Sequence, residues 1–171
     1  MQLGLTLPLK RHLKIKSLNE GPPVSRHFCW DLHVIALRGR GSLLAVHCET
    51  RYAFTVFDMS AADWQALPET FLRGLKTSLY DAGIPGDAVG RYIQAGGGIV
   101  LTKTHGRREV AFLNRAWENV LTADMALDPA RQHQPLLDGG VNNRLCHCAG
   151  YEGAGAAVKR LRHALQEGQF L

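Results

Sequence analysis

No stretch of this chain is apolar for long enough to cross a bilayer, and its first residues do not read as a leader peptide. No membrane span is therefore expected, and a cytoplasmic location is. Cysteine is sparse: Cys29, Cys48, Cys146 and Cys148 are the whole set. In a reducing compartment they are expected to be free thiols rather than a disulfide framework. There is no internal repeat and no low-complexity run. No pair of acids has a spacing that argues for glycosidase or metal-dependent nuclease chemistry; Asp124 and Asp128 would share a helical face only if a helix ran on through Pro129. Acids are also missing from the first sixteen residues, MQLGLTLPLKRHLKIK, which carry Lys10, Arg11, Lys14 and Lys16.

What is present is an ordinary globular composition. The 171 residues are 46% hydrophobic and 20% charged, which fits one domain over 1–171. The net charge of +5 suits an anionic partner without requiring one.

Leu3, Leu5 and Leu7 alternate as in a short strand, and Leu9 and Leu13 then suit a helical turn or two. "NEGPPVS" interrupts regular structure. From Trp30 to Asp58 the segments "WDLHVIALRG", "SLLAVHC" and "YAFTVFD" are joined by short polar or Gly-containing links, the mark of an antiparallel meander. Leu43–Val46 is apolar on both faces, so the middle strand is expected to be covered on both sides, or on one side with a second chain near the other; a homodimer is compatible with this. Ser60 with Asp63 resembles a capping box. Trp64, Leu67, Phe71, Leu75 and Leu79 continue at helical spacing, with a restart near Pro68 and a stop at Gly83. Residues 85–94 suit a further short helix. Ile99–Thr102 reads as a buried strand, and Val110, Leu113, Trp117, Val120 and Leu121 as a helix. Residues 128–150 have no clear period and are expected to be mostly loop, with room for one more short edge strand. A last helix runs over about 152–167, with Val158, Leu161 and Leu165 inward and Lys159, Arg160, Arg162 and His163 largely outward.

The segment GGGIVLTKTHGRR, 96–108, comes within one residue of a phosphate loop: from Gly97 to Thr104 it reads G-x-x-x-x-T-K-T. Such a loop needs glycines where it wraps the phosphates, and here Ile99, Val100 and Leu101 stand there with Thr102 before the lysine. These residues belong in a strand. The turn that follows, Lys103-Thr104-His105-Gly106-Arg107-Arg108, then leads into a helix. Helix starts carry unpaired N–H groups and partial positive charge, so the turn is suited to an anion, with Lys103 as a point charge and Arg107 or Arg108 as a bidentate clamp. The plainer alternative is that these cations face water or pair with neighbouring acids.

The run from Trp30 through "RYAFTVF", "LTKTHGRR" with Asn114 beyond it, and "VNNR" before Gly150-Tyr151 resembles an uncharacterised bacterial family known only as a domain of unknown function, members of which occur beside plasmid-associated domains. The resemblance spans about Leu7 to Tyr151. Members of that family typically show a Thr-Lys-Lys-Leu-like N-terminal segment, a Trp-His start to the meander, a KTxxR turn and a late Asn-Arg pair. Asp31 stands where that family usually has His, and "LCHCAGY" replaces a Pro-containing segment. The resemblance singles out Lys103, Arg107, Asn114, Asn143 and Arg144 and implies no reaction.

Cys146-His147-Cys148 has zinc-ligand chemistry but lacks a regular second pair. His27 and Cys29 would complete a four-ligand set with Cys146 and Cys148 only if folding brought them together; a free Cys is more often a small buried hydrophobe, so no metal and no cofactor is expected. His47 and Cys48 are adjacent on a strand, point to opposite faces and cannot chelate together. A nucleophilic Cys29 or Cys146 has no recognisable local elbow. Trp30, Trp64 and Trp117 fall at packing positions rather than stacking platforms. The basic segments "KRHLKIK" and "KRLRH" lack the interleaved aromatics of a single-strand binder.

The expected fold class is α+β, a largely antiparallel sheet built on the three-stranded meander and covered by amphipathic helices. The expected function is non-enzymatic binding of an anionic partner, nucleic acid among the candidates, through Lys103, His105, Arg107, Arg108, Asn114, Asn143 and Arg144. The alternative is an enzyme acting on a small phosphorylated or carboxylated ligand at the same corner, with Lys103 or His105 moving a proton and Asn114 or Asn143 orienting the ligand.

Overall fold

A computed structural model describes all residues, Met1–Leu171. In chain order the elements are β1 (Gln2–Leu5), α1 (Leu7–His12), β2 (Cys29–Leu37), β3 (Arg40–His47), β4 (Ala53–Val56), α2 (Ala61–Gln65), α3 (Leu67–Asp81), α4 (Gly86–Gly96), β5 (Val100–Lys103), α5 (Arg107–Thr122), α6 (Pro135–Asn142), β6 (Leu145–His147), β7 (Ala154–Ala156) and α7 (Ala157–Glu167). No helix is long and apolar enough to cross a membrane.

The meander forms as its links dictate. Arg38 and Gly39 both take positive φ, 45° and 75°, the geometry of a two-residue turn whose twist matches the strands it joins. β2 pairs antiparallel with β3, and β3 with β4. Ser60 and Asp63 form the reciprocal capping box at α2, and α3 restarts with Pro68 in its first turn.

The sheet as a whole corrects the largely antiparallel expectation. Its order is β4-β3-β2-β1-β5, and β1 runs parallel to both neighbours, β2 and β5. It is a mixed sheet. The reason lies in connection length: short links force antiparallel pairing, whereas β1 reaches β2 through α1 and a long loop, and β4 reaches β5 through three helices, which are crossover connections of the parallel kind. β5 is also an edge strand rather than a buried one, with Val100 43% exposed. Within 128–150 the chain forms α6 as well as the short strand β6, and β6 pairs with β7, which occupies the start of the segment expected as the last helix, so that α7 begins only at Ala157.

Strand alternation sends two sets of side chains to two cores. Leu3, Leu5, Trp30, Leu32, Leu43, Ala45 and Phe54 meet α1, α3, α4 and α7 on one face. Ile35, Leu37, Leu44, Val46 and Ala53 meet α5 and α6 on the other. The middle strand is thus covered on both sides by this chain itself. Trp30 is fully buried, but Trp117 remains 36% exposed on α5, its ring edge-on to His33. Arg160 is buried as well, against the outward expectation, because its guanidinium donates to the carbonyls of Thr50, Cys146 and Gly155.

Candidate functional site

On the α5 side of the sheet the ionisable side chains come from β2 and the segment just past β3. In β2 the alternation that buries Trp30 and Leu32 on one face places Cys29, Asp31 and His33 on the other. The parallel register sets Gln2 of β1 beside Cys29 and Gly4 beside Asp31. Just past β3, the Cys48 N–H donates to the Cys29 carbonyl at 3.0 Å, which brings Cys48 to the same corner. The turn from β5 into α5 then crosses above Gly4 and lays His105 over Asp31. Only a glycine permits this crossing, since a Cβ on residue 4 would overlap Asp31 Oδ1 and stand 2.9 Å from His105 Nδ1.

His105 is held from three directions. Its ring Nδ1 lies 2.7 Å from Asp31 Oδ1, and its backbone N–H donates to the same carboxylate at 3.2 and 3.3 Å. Nε2 lies 3.2 Å from Gln2 Oε1, and Gln2 in turn donates its amide N–H to the Pro22 carbonyl, tying the 19–23 loop to the turn. Cys48 Sγ lies 3.4 Å from the same Nδ1 that meets Asp31. Asp31 is 1% exposed. Burial opposes charge on the His105 ring, but the bond to Asp31, the nearby Cys29 and the Asp31 charge together outweigh it and raise the imidazole to about 9. Burial also raises the Asp31 carboxyl, with the His105 bonds opposing, so Oδ1 and Nδ1 hold a proton between them. The Cys48 thiol is pushed up by burial and by the nearby Asp31 carboxylate.

This geometry sorts the available chemistries. A Cys-His-Asp nucleophile relay needs the thiol and the carboxylate on different ring nitrogens, and here both meet Nδ1. A thiol raised by burial is also the reverse of an activated nucleophile. What the three residues do provide is converging donor atoms: an Asp31 oxygen, Cys48 Sγ and a His105 nitrogen all lie within 4.8 Å of one another.

Beside this cluster runs an open groove. One hollow, about 350 Å³, is framed by Gln2, Glu20, Gly21, Lys103, His105 and Gly106. Another, about 230 Å³, is framed by Gln2, Pro22, Arg26, Cys29 and His105. Gln2, Gly21 and His105 belong to both. The 19–23 loop is fixed along the β5 edge by a bond from the Lys103 N–H to the Asn19 carbonyl.

The residues expected from sequence divide into two groups. Lys103, His105, Arg107 and Arg108 do sit together around the start of α5. Lys103 and Arg107 are exposed and pair with no carboxylate. Arg108 is spent locally: together with Arg26 it pairs with the buried Glu109, and it also lies over the Phe112 ring. Burial would raise the Glu109 carboxyl, but these two arginines hold it below its ordinary value. Asn114, Asn143 and Arg144 are elsewhere. Asn114 is exposed on α5, Asn143 bonds back to the Gly139 carbonyl of its own helix, and Arg144 donates to Asn119 at 3.2 Å. Asn119 lies twelve residues beyond Arg107 along α5, about 18 Å at the helical rise, so Arg144 is not part of the corner.

His27, Cys29, Cys146 and Cys148 do not converge as a ligand set. His27 meets Glu49 at 2.7 Å, Cys29 turns to the Ser25 carbonyl, Cys146 accepts from Arg160, and Cys148 meets the Glu49 carbonyl. Sequence reasoning missed Asp31, Cys48, Gln2 and Gly4 as site residues. The legible signal was an acid at the inward-alternating position between Cys29 and His33 in an otherwise apolar strand; nothing local marks Gln2 or Cys48, which arrive through tertiary pairing.

No curated protein matches the chain. A family profile does match residues 2–157, nearly the whole length, and the chain belongs to that family, described as a domain of unknown function (DUF6933).

Proposed function

We propose that this protein is a binding protein for a small anionic group, carboxylate or phosphate, taken up in the groove between the 19–23 loop and the 103–106 turn. The observation that carries the reading is the pairing of an unspent cation with a helix start: Lys103 lines the groove without a carboxylate partner, and Gly106, which lines the same groove, opens the sixteen-residue α5. Arg107 adds a second free cation at the same end. Arg144 and Asn143 take no part.

The groove favours a small ligand over nucleic acid. Of the two basic segments that would extend a phosphate-binding face, one begins in α1 and runs beyond it and the other lies in α7, and both helices pack on the opposite side of the sheet from α5. A concave site bordered by a loop and a turn suits a compact anion.

Calorimetric titration with inorganic phosphate, with succinate and with a short single-stranded oligonucleotide tests this. The expected result is saturable binding of one of the two small anions, weakened about tenfold by Lys103→Ala with Arg107→Ala and unchanged by Arg144→Ala. Failure of both small anions to bind at millimolar concentration overturns the reading, and binding of the oligonucleotide alone replaces it with a nucleic-acid one.

A further inference from the structure

We infer that Asp31, Cys48 and His105 form a binding site for a thiophilic divalent cation, zinc foremost. The inference goes beyond anion binding and does not depend on it.

The donor set comes first. An imidazole, a thiol and a carboxylate together are the ligand chemistry of zinc and its neighbours, whereas magnesium and calcium take oxygen alone. This is the one place in the chain where three such groups converge. They come from three separate segments, β2, the end of β3 and the β5–α5 turn, so no local sequence constraint explains their meeting.

Distances come next. In a tetrahedral zinc site with ordinary bond lengths, a nitrogen and an oxygen ligand stand about 3.3 Å apart and a nitrogen and a sulfur about 3.6 Å apart. Here Nδ1 and Oδ1 are 2.7 Å apart and Nδ1 and Sγ 3.4 Å. The sulfur is nearly in place, and the carboxylate needs to withdraw by about 0.6 Å as a metal replaces the shared proton.

The surroundings fit a ligand histidine. A metal-bound imidazole donates its other N–H to an acceptor that fixes ring and tautomer. Gln2 Oε1 stands at Nε2 in that role, and Gln2 is itself oriented by its bond to the Pro22 carbonyl. The Asp31 carboxylate is likewise fixed by the His105 backbone N–H. Cys48 Sγ has no polar partner other than Nδ1. Binding would expel the thiol proton and the Nδ1 proton, leaving thiolate, carboxylate and neutral imidazole around the dication. Three protein ligands leave a coordination position for water or an anion.

The test uses the full chain, reduced with a phosphine, stripped with chelator and titrated with cobalt(II). The expected result is a thiolate-to-cobalt charge-transfer band that saturates at one equivalent and is abolished by zinc. Cys48→Ser is expected to lose the band, and Cys146→Ser to keep it. Zinc is also expected to raise Tm in the wild-type chain and not in His105→Gln, a partly exposed position that guards against misfolding of Cys48→Ser. Absence of the band in the wild-type chain, or its full retention in Cys48→Ser, overturns the inference. Phosphate and succinate are omitted from these titrations, so the metal and anion readings fail separately.

Discussion

Gly4 lies directly beneath the Asp31 carboxylate, and the whole corner depends on the missing side chain. A Cβ there would overlap Oδ1 and press to 2.9 Å on both His105 Nδ1 and the Thr104 backbone. Gly4→Ala is therefore expected to destabilise by about 2 kcal/mol, with the β5–α5 turn displaced. Gly90, by contrast, is exposed inside α4 with open space where its Cβ would stand. Gly90→Ala is expected to stabilise by about 0.5–1 kcal/mol through helix propensity. Urea denaturation of both variants checks the pair; equal signs for the two would mean that Asp31 does not sit over Gly4.

The same comparison shows how much was legible from sequence. Local rules act over a few residues, so the Ser60–Asp63 cap, the Arg38-Gly39 turn and the α3 stripe of Leu67, Phe71, Leu75 and Leu79 were all readable. The insertion of β1 between β2 and β5 was not, because direction across a long crossover is decided by packing rather than by any residue in the link. The corner was half legible. Lys103, His105 and Arg107 follow one another in sequence, but Cys48 and Gln2 join them only through strand register.

The "VNNR" segment shows a motif whose weight falls on a different residue from the ones singled out. Asn142 is buried, accepts from the Ala53 N–H at 2.8 Å and donates to the Ala53 carbonyl at 2.7 Å, so its amide acts as a substitute strand on the β4 edge. Asn142→Ala leaves both backbone groups buried without partners and is expected to cost about 2–4 kcal/mol. Asn143→Ala and Arg144→Ala, at exposed positions, are expected to stay within about 0.5 kcal/mol of the parent. Chemical denaturation of the three variants orders them; a large loss in Arg144→Ala would show that its bond to Asn119 holds the end of α6 to α5.

Arg160 holds the β6–β7 hairpin to the rest of the fold. Its guanidinium donates to Thr50, Cys146 and Gly155 carbonyls at 3.0, 2.9 and 2.8 Å and meets the Cys146 sulfur at 3.1 Å. A two-stranded hairpin is marginal alone. Arg160→Ala is expected to raise amide hydrogen exchange across 145–156 while β2 and β3 stay protected, and Arg160→Lys to restore little, since an ammonium cannot span those acceptors. Uniform loss of protection over the whole sheet would show that the residue stabilises the fold globally rather than the hairpin.

Asp138 gives the chain a pH dependence whose sign follows from its burial. It is 5% exposed on α6, its Oδ2 and the Thr55 hydroxyl have no hydrogen-bond partner, and Asp81, His133 and Tyr52 line the same small hollow. Burial lifts its carboxyl well above the ordinary value, and the Asp81 charge adds to the rise. The folded state therefore binds a proton that the unfolded state has released, and stability falls as pH rises from the unfolded value, about 3.9, through the folded one. Asp138→Asn removes the titration and supplies an N–H for Thr55. Its Tm is expected to exceed the parent's at pH 8, by about 3 °C for each kcal/mol gained, and to converge with it near pH 4. Scanning calorimetry at the two pH values decides the matter: a gap that does not shrink on acidification would mean that Asp138 is buried in its ionised form.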